Sequence, residues 1–215
     1  LQPLAASFRQ TNYKDIYRTI FGKDYTSIWQ QFAKEKGGTY LPISGDRVQY
    51  KYKGFTITFD AYIHYVVVGG SSYEYEYTRG QVEFICPDNF KLLITQQGLI
   101  DNISKLFGMQ DIQIGNKQFD KKFIVKSDDE SKTLLLLSNN SITKSLQELE
   151  PVRFDITDGE GLWDEKPVAG NFMLYFVLKE KIKHIEQLNK MYSLFSETID
   201  TLIKLNSMKP IKASS

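Results

Sequence analysis

Residues 55–86 read FTITFDAYIHYVVVGGSSYEYEYTRGQVEFIC, and their reading decides the fold. From Phe55 to Val68 β-branched and aromatic side chains dominate, with no proline or glycine to interrupt them. Such residues fit a pleated, half-buried surface. Gly69-Gly70-Ser71-Ser72 then supplies turn chemistry, and residues 73–86 resume the alternation as a returning strand. A loop this short allows only an antiparallel return, because a parallel crossover takes a dozen or more residues.

Working outward, Val48, Tyr50 and Tyr52 alternate with Gln49, Lys51 and Lys53 and stop at Gly54, which gives a preceding strand. Before it, Ile28, Trp29, Phe32 and Ala33 line one face of a helix that Thr26 or Ser27 caps and Gly37-Gly38 ends. Tyr13, Ile16, Tyr17, Ile20 and Phe21 mark an earlier helix ending near Gly22. Downstream, Cys86-Pro87-Asp88-Asn89 turns the chain into a short strand over 90–95, read as the next strand of the meander, and 98–107 reads as a helix stopped by Gly108. A strand is expected over 119–126. A helix containing residues 134–137 follows, capped within Ser127-Asp128-Asp129-Glu130 and broken by Asn139-Asn140. Ser141 is placed to cap the next helix, along which Ile142, Leu146 and Leu149 recur. Strands over 152–157 and 172–178 flank a turn at Asp158-Gly159-Glu160-Gly161. The end is a long amphipathic helix whose stripe is Ile182, Ile185, Leu188, Met191, Phe195, Ile199 and Leu202.

These elements predict an α+β fold, an antiparallel meander sheet packed by helices, with a coarse echo suggesting two similar α+β halves. Residues 1–24 read as an N-terminal helical extension and 25–215 as a single globular domain. With 215 residues and 41% hydrophobic content, the chain can bury a core without disulfides or a structural metal. One cysteine, Cys86, excludes an intrachain disulfide and suits a reducing compartment, although exported bacterial proteins also lack disulfides. The expectation is a soluble cytoplasmic protein without a membrane span. A first residue of Leu1 rather than Met leaves room for a removed leader or anchor. A net charge of +1 and no basic stripe argue against nucleic acid as a partner. The densest basic cluster, Lys179, Lys181 and Lys183, is interrupted by Glu180 and reads as a solvated helix start.

The usual catalytic patterns are missing. A nucleophile needs a base in reach, and the only histidines are His64 and His184. Cys86, at the end of an apolar strand, reads as a small buried hydrophobe. No zinc set or H-E-x-x-H is present, and no cofactor is expected. Asp155, Asp158, Glu160, Asp164 and Glu165 gather near a Gly-rich turn, but Thr157 and Gly159 stand where a calcium loop wants Asp or Asn. Gly69-Gly70 lacks the pattern of a phosphate loop.

The hairpin carries the candidate site. With a symmetric four-residue loop, Asp60, Tyr62, His64 and Val66 fall opposite Gln81, Arg79, Tyr77 and Tyr75 on one face. Arg79 and the tyrosines could grip an anionic or planar ligand, so Arg79, Asp60, Tyr62, His64, Tyr75 and Tyr77 are the candidate ligand-binding residues. The plainer reading of the same face is a cross-strand ladder that stabilises the sheet.

Three stretches carry a resemblance: Trp29, Ala33 and Gly37-Gly38-Thr39-Tyr40; Ile57-Thr58-Phe59-Asp60-Ala61-Tyr62 with Tyr77-Thr78-Arg79; and Phe107-Gly108-Met109-Gln110-Asp111-Ile112 with Gly115, Phe119-Asp120, Phe123-Ile124-Val125-Lys126 and Asp128-Asp129-Glu130. From about residue 25 onward the chain resembles a bacterial family of uncharacterised proteins. The resemblance implies no established activity and no catalytic residues, and it points to Asp60, Arg79, Asp111 and Asp120. The last two stand in or beside turns, where aspartates bond nearby backbone N–H groups.

Three functions follow as expectations. The first is a non-enzymatic binding or protein-interaction module using the sheet face, for a small anionic ligand or a protein partner. The second is a small-molecule enzyme using Asp60 and Arg79. The third is a structural homodimer built on the C-terminal helix.

Overall fold

The computed structural model describes residues 27–42, 45–97, 109–159 and 166–211. The expected helices at 13–22 and 98–107, the extension at 1–24 and the turn residues Glu160 and Gly161 lie outside the described residues, wholly or in large part.

Helix α1 (Ile28–Lys36) starts where Ser27 Oγ accepts from the Gln30 N–H and stops at Gly37, in the left-handed region at φ 65°. The chain then builds β1 (Thr39–Tyr40), β2 (Arg47–Tyr52), β3 (Phe55–Val68) and β4 (Ser71–Phe84), an antiparallel meander. Both tight hairpins have positive φ at two central residues, Lys53-Gly54 and Gly69-Gly70. That is the turn whose twist matches the flanking strands. The β3–β4 loop is therefore two residues long, not four, and the register is Asp60↔Arg79, Tyr62↔Tyr77 and His64↔Tyr75. A slip of two leaves every side chain on its expected face, since the strand period is two.

The meander stops at β4. The strand expected at 90–95 is β5 (Leu92–Gln96), and it does not lie beside β4, whose edge is taken by β9 (Phe172–Leu178). Beyond come β6 (Gln110–Ile112), helix α2 (Lys117–Lys122), β7 (Phe123–Ser127), helices α3 (Glu130–Leu137) and α4 (Asn140–Leu149), β8 (Arg153–Thr157), and after β9 the helix α5 (Ile185–Lys204). The nine strands run β1-β2-β3-β4-β9-β8-β5-β7-β6, every neighbour antiparallel.

The short strands β1 and β6 lie where no strand was expected, and three boundaries also differ from the sequence reading. The single strand over 119–126 is a helix followed by a strand, because Asn116 accepts from the N–H groups of Gln118 and Phe119 and starts α2. Phe119 and Phe123 are four apart and bring their rings to 4.8 Å in a tilted contact, a spacing that a strand pattern also tolerates at its ends. Asn139 rather than Ser141 caps α4, accepting from the Ser141 N–H. Ile182 is buried but precedes α5.

The helices cover one face. Trp29 and Phe32 from α1, Ile142 and Leu146 from α4, and Leu188, Met191, Leu194, Phe195, Ile199 and Leu202 from α5 pack on Val48, Ile57, Phe59, Val82, Leu174, Phe176 and Phe154. The α5 stripe is thus consumed inside the chain's own core. Gly80 admits it: a Cβ there would lie 2.5 Å from Met191 Cε and 2.6 Å from Phe195 Cζ. No helix among the described residues is long and apolar enough to cross a membrane.

Candidate functional site

The opposite face of the sheet holds the candidate residues. Odd positions of β3 point to the helices, as Ile57 and Phe59 do, so Asp60, Tyr62 and His64 point away, with Arg79, Tyr77 and Tyr75 beside them. Asp60 is the centre of a charge knot. Arg79 donates to it through Nε at 2.8 Å and through Nη2 at 2.8 Å, a two-pronged contact between side chains both under a tenth exposed. Arg47, from β2, donates a third bond to Asp60 at 2.9 Å from a side chain 38% exposed. The Arg79 guanidinium also lies 4.0 Å from the centre of the Tyr62 ring, and that ring stacks on His64. Two of the guanidinium's nitrogens are therefore turned toward Asp60, and its flat side toward Tyr62.

The same face continues into β9 and β8. One line of paired residues crosses five strands as Arg47, Asp60, Arg79, Val177 and Arg153. Met173, Tyr175 and Val177 are buried here, with Tyr77 and Val152 packed on them. Arg153 donates through Nε at 2.8 Å to Asp155 Oδ2, two residues along the same strand. Asp155 is 2% exposed, and its Oδ1 has no hydrogen-bond partner. Burial pushes the Asp155 carboxyl up to about 6, against the opposing pull of Arg153. Burial also raises the Tyr77 phenol, with Tyr75 adding to it.

Sequence reasoning did not single out Arg47, Arg153 or Asp155 for this face. The signal was present in the parity of the strands: Arg153-x-Asp155 must share one side of a strand, and Arg47 shares a face with Gln49 and Lys51. What was missing was the partner strand for each, which periodicity does not give.

Past Asp60 and Thr78 the hairpin leaves its neighbours. The β2 pairing ends at Arg47↔Asp60, and the β9 pairing ends at Thr78↔Leu178. Residues 62–68 and 71–77 continue as a two-stranded arm, and no other described strand pairs with them. Six apolar or aromatic side chains are exposed on it: Ile63, Tyr65 (58%), Val67 (71%), Val68, Tyr73 and Tyr75. Under the arm's β4 edge, where β9 turns away, Glu74, Tyr75, Glu76 and residues between Lys179 and Gln187 line an open depression of about 440 Å³. Lys181, one of them, bridges to Asp46, and the basic cluster lies ahead of α5 rather than in its first turn.

The remaining sequence candidates resolve locally. Cys86 is buried, its thiol pushed up to about 12 by burial and by the Asp88 carboxylate, so it supplies no thiolate near neutrality. Asp158 bridges to Lys91, Asp111 to Lys126, and Asp120 Oδ1 accepts from the Ile114 N–H. Among the described residues no group of three His, Cys, Asp or Glu side chains is placed to hold a metal ion.

No family model matches the chain, and no curated protein matches it. Among solved structures the chain is similar to the mycobacterial trehalose monomycolate transport factor A, TtfA, at 9% identity and a TM-score of 0.47, over 86% of this chain and 96% of that one. At that distance the residues themselves have to carry the reading.

Proposed function

We propose that the chain is a non-enzymatic interaction module whose contact surface is the projecting β3–β4 arm, anchored to the sheet by the Asp60–Arg79 pair. The observation that carries this reading is the exposure of Ile63, Tyr65, Val67, Val68, Tyr73 and Tyr75 on a ribbon only two strands wide. Isolated two-stranded ribbons are marginally stable in water, and proteins ordinarily blunt such edges with charge, proline or cover. Aromatic side chains that keep their area in water while held on a fixed strand suit a protein contact, because little side-chain freedom is left to lose on binding. Of the candidate residues, His64 and Tyr75 sit on the arm itself. Asp60 and Arg79 form its root, and Tyr62 and Tyr77 are the first arm residues beyond it, Tyr62 lying on the Arg79 guanidinium and Tyr77 on the Met173, Tyr175 and Val177 cluster.

The enzyme alternative asks for two carboxyl groups in one pocket with unlike environments. Asp60 and Asp155 are both buried on this face, but β4 and β9 stand between their strands. Three strand spacings, with Asp155 two residues along its strand from the line through Asp60, put them about 16 Å apart. Carboxylate pairs that act on a single bond lie within about 5–9.5 Å, so paired-carboxylate chemistry finds no support here.

The test is site-specific crosslinking in cells of the source organism. A photo-crosslinking phenylalanine is placed singly at Tyr65, at Tyr75 and, as a control of similar exposure, at Leu135 on α3. Discrete adducts from the two arm positions and none from Leu135 are expected. Adducts that are absent, or equally abundant from Leu135, would remove the arm as the contact surface.

A further inference from the structure

Resting on that reading, we infer that the arm's partner is a second copy of this chain, paired antiparallel through the outer edge of β3 about a twofold axis at Tyr65. The two edges of the arm differ in chemistry. The β4 edge carries Glu74 and Glu76 beside the lysines of the 179–183 segment, and two such edges would set like charges against each other. The β3 edge reads Ile63, His64, Tyr65, Val66, Val67 and Val68, with no carboxylate, lysine, arginine, proline or glycine. It is the longest stretch of high β-propensity left at an edge among the described strands, the composition that favours strand addition.

The pattern is also self-complementary. With Tyr65 opposite its own copy, Ile63 faces Val67 and Val67 faces Ile63 on the helix side of both arms, while Val66 faces His64 on the other. Every opposed pair is then apolar, aromatic or neutral, and each copy contributes the same patch, as a twofold contact requires. Side chains that are 37%, 58% and 71% exposed on one copy, Ile63, Tyr65 and Val67, become cross-strand pairs in the dimer. Among the described residues, β2 ends its pairing at Arg47, and beyond it the Ala61 N–H donates to Asp46 O, the last backbone bond from a neighbouring segment on that side of β3. A partner strand would continue along the line that β2 leaves there. Two paired arms of this length form a contact below the usual size for a stable complex, under about 1,200 Å², the class of weak and transient contacts, and association with a dissociation constant of roughly micromolar order is expected.

Two measurements on the full chain decide it. Sedimentation equilibrium at about 100 µM should give a dimer, and Tyr65→Lys, which sets two ammonium groups face to face, should weaken association ~10–100-fold without moving the melting temperature. In a Cys86→Ser background, Tyr65→Cys should oxidise to a covalent dimer, since opposed Cα atoms of an antiparallel pair lie about 4.5–5.5 Å apart, inside disulfide range. Glu74→Cys, also exposed but on the other edge, should stay monomeric. A wild-type monomer at that concentration, or crosslinking of Glu74→Cys as efficient as that of Tyr65→Cys, overturns the second copy as partner. If a monomeric chain still yields photo-adducts with other proteins from Tyr65, the arm remains the contact surface and only this occupant is lost.

Discussion

Replacing Arg79 with alanine takes a guanidinium away from a carboxylate that is almost wholly enclosed. Asp60 is 3% exposed, and it would lose two bonds of 2.8 Å while keeping one of 2.9 Å from Arg47. Breaking a buried ion pair from one side costs about 3–5 kcal/mol, because the remaining charge is stranded in a poor solvent. The surviving Arg47 bond places the cost toward the lower end, about 3 kcal/mol. For a chain of this size that is a fall in melting temperature of roughly 6–12 °C. Arg47→Ala is the control, since its side chain is 38% exposed and a pair so open to water contributes about 1 kcal/mol or less. Replacing both partners, as Asp60→Asn with Arg79→Met, should cost less than Arg79→Ala alone, because no unpaired charge is left behind. Urea denaturation followed by circular dichroism measures all four proteins. A loss below about 1 kcal/mol for Arg79→Ala, or one equal to that of Arg47→Ala, would show that the pair does not anchor the arm.

Two further outcomes follow from other parts of the sheet. Burial holds the Asp155 carboxyl at about 6 in the folded chain against 3.8 as its ordinary value, so the fold favours its protonated form. The stability that Asp155 contributes is present below pH ~4 and is lost as pH rises through about 6, a change of about 3 kcal/mol. Asp155→Asn mimics the protonated state throughout, so the difference in unfolding free energy between the two proteins should move by that amount in favour of the variant from pH 4 to pH 7; a pH-independent difference would be inconsistent with a buried, incompletely bonded carboxylate. Gly80→Ala should destabilise by about 1–3 kcal/mol, because Met191 and Phe195, both fully buried, already occupy the space of the new methyl. Shortening residue 191 with Met191→Ala in the same chain should restore part of the packing at Gly80, and an unchanged denaturation midpoint for Gly80→Ala would mean that α5 does not press on β4.

Much of this fold was legible in the order of residues, and the reasons are local ones. The bounds of β3 follow from an unbroken β-branched and aromatic run between Gly54 and Gly69, and those of α1 from a Ser27 cap and a Gly37 stop. The face that holds Asp60, Tyr62, His64, Tyr75, Tyr77 and Arg79 was also fixed, since parity along a strand survives any even slip in register. The same logic failed over 119–126, where an asparagine cap outweighed a pattern that fits helix and strand alike.

The sequence by itself determined most of the segments that become strands and helices and which side chains share a face on β3 and β4, because backbone geometry, capping and turn chemistry act over a few residues. Tertiary structure alone decided that β9 rather than β5 lies against β4, that Arg153 and Asp155 join the face of Asp60 and Arg79, and that the α5 stripe is spent in the chain's own core. It also decided where β2 and β9 stop, and so which part of the hairpin stands out alone. Those are matters of which strand finds which edge, settled by packing between residues up to a hundred or more positions apart, and no local pattern in the chain encodes them.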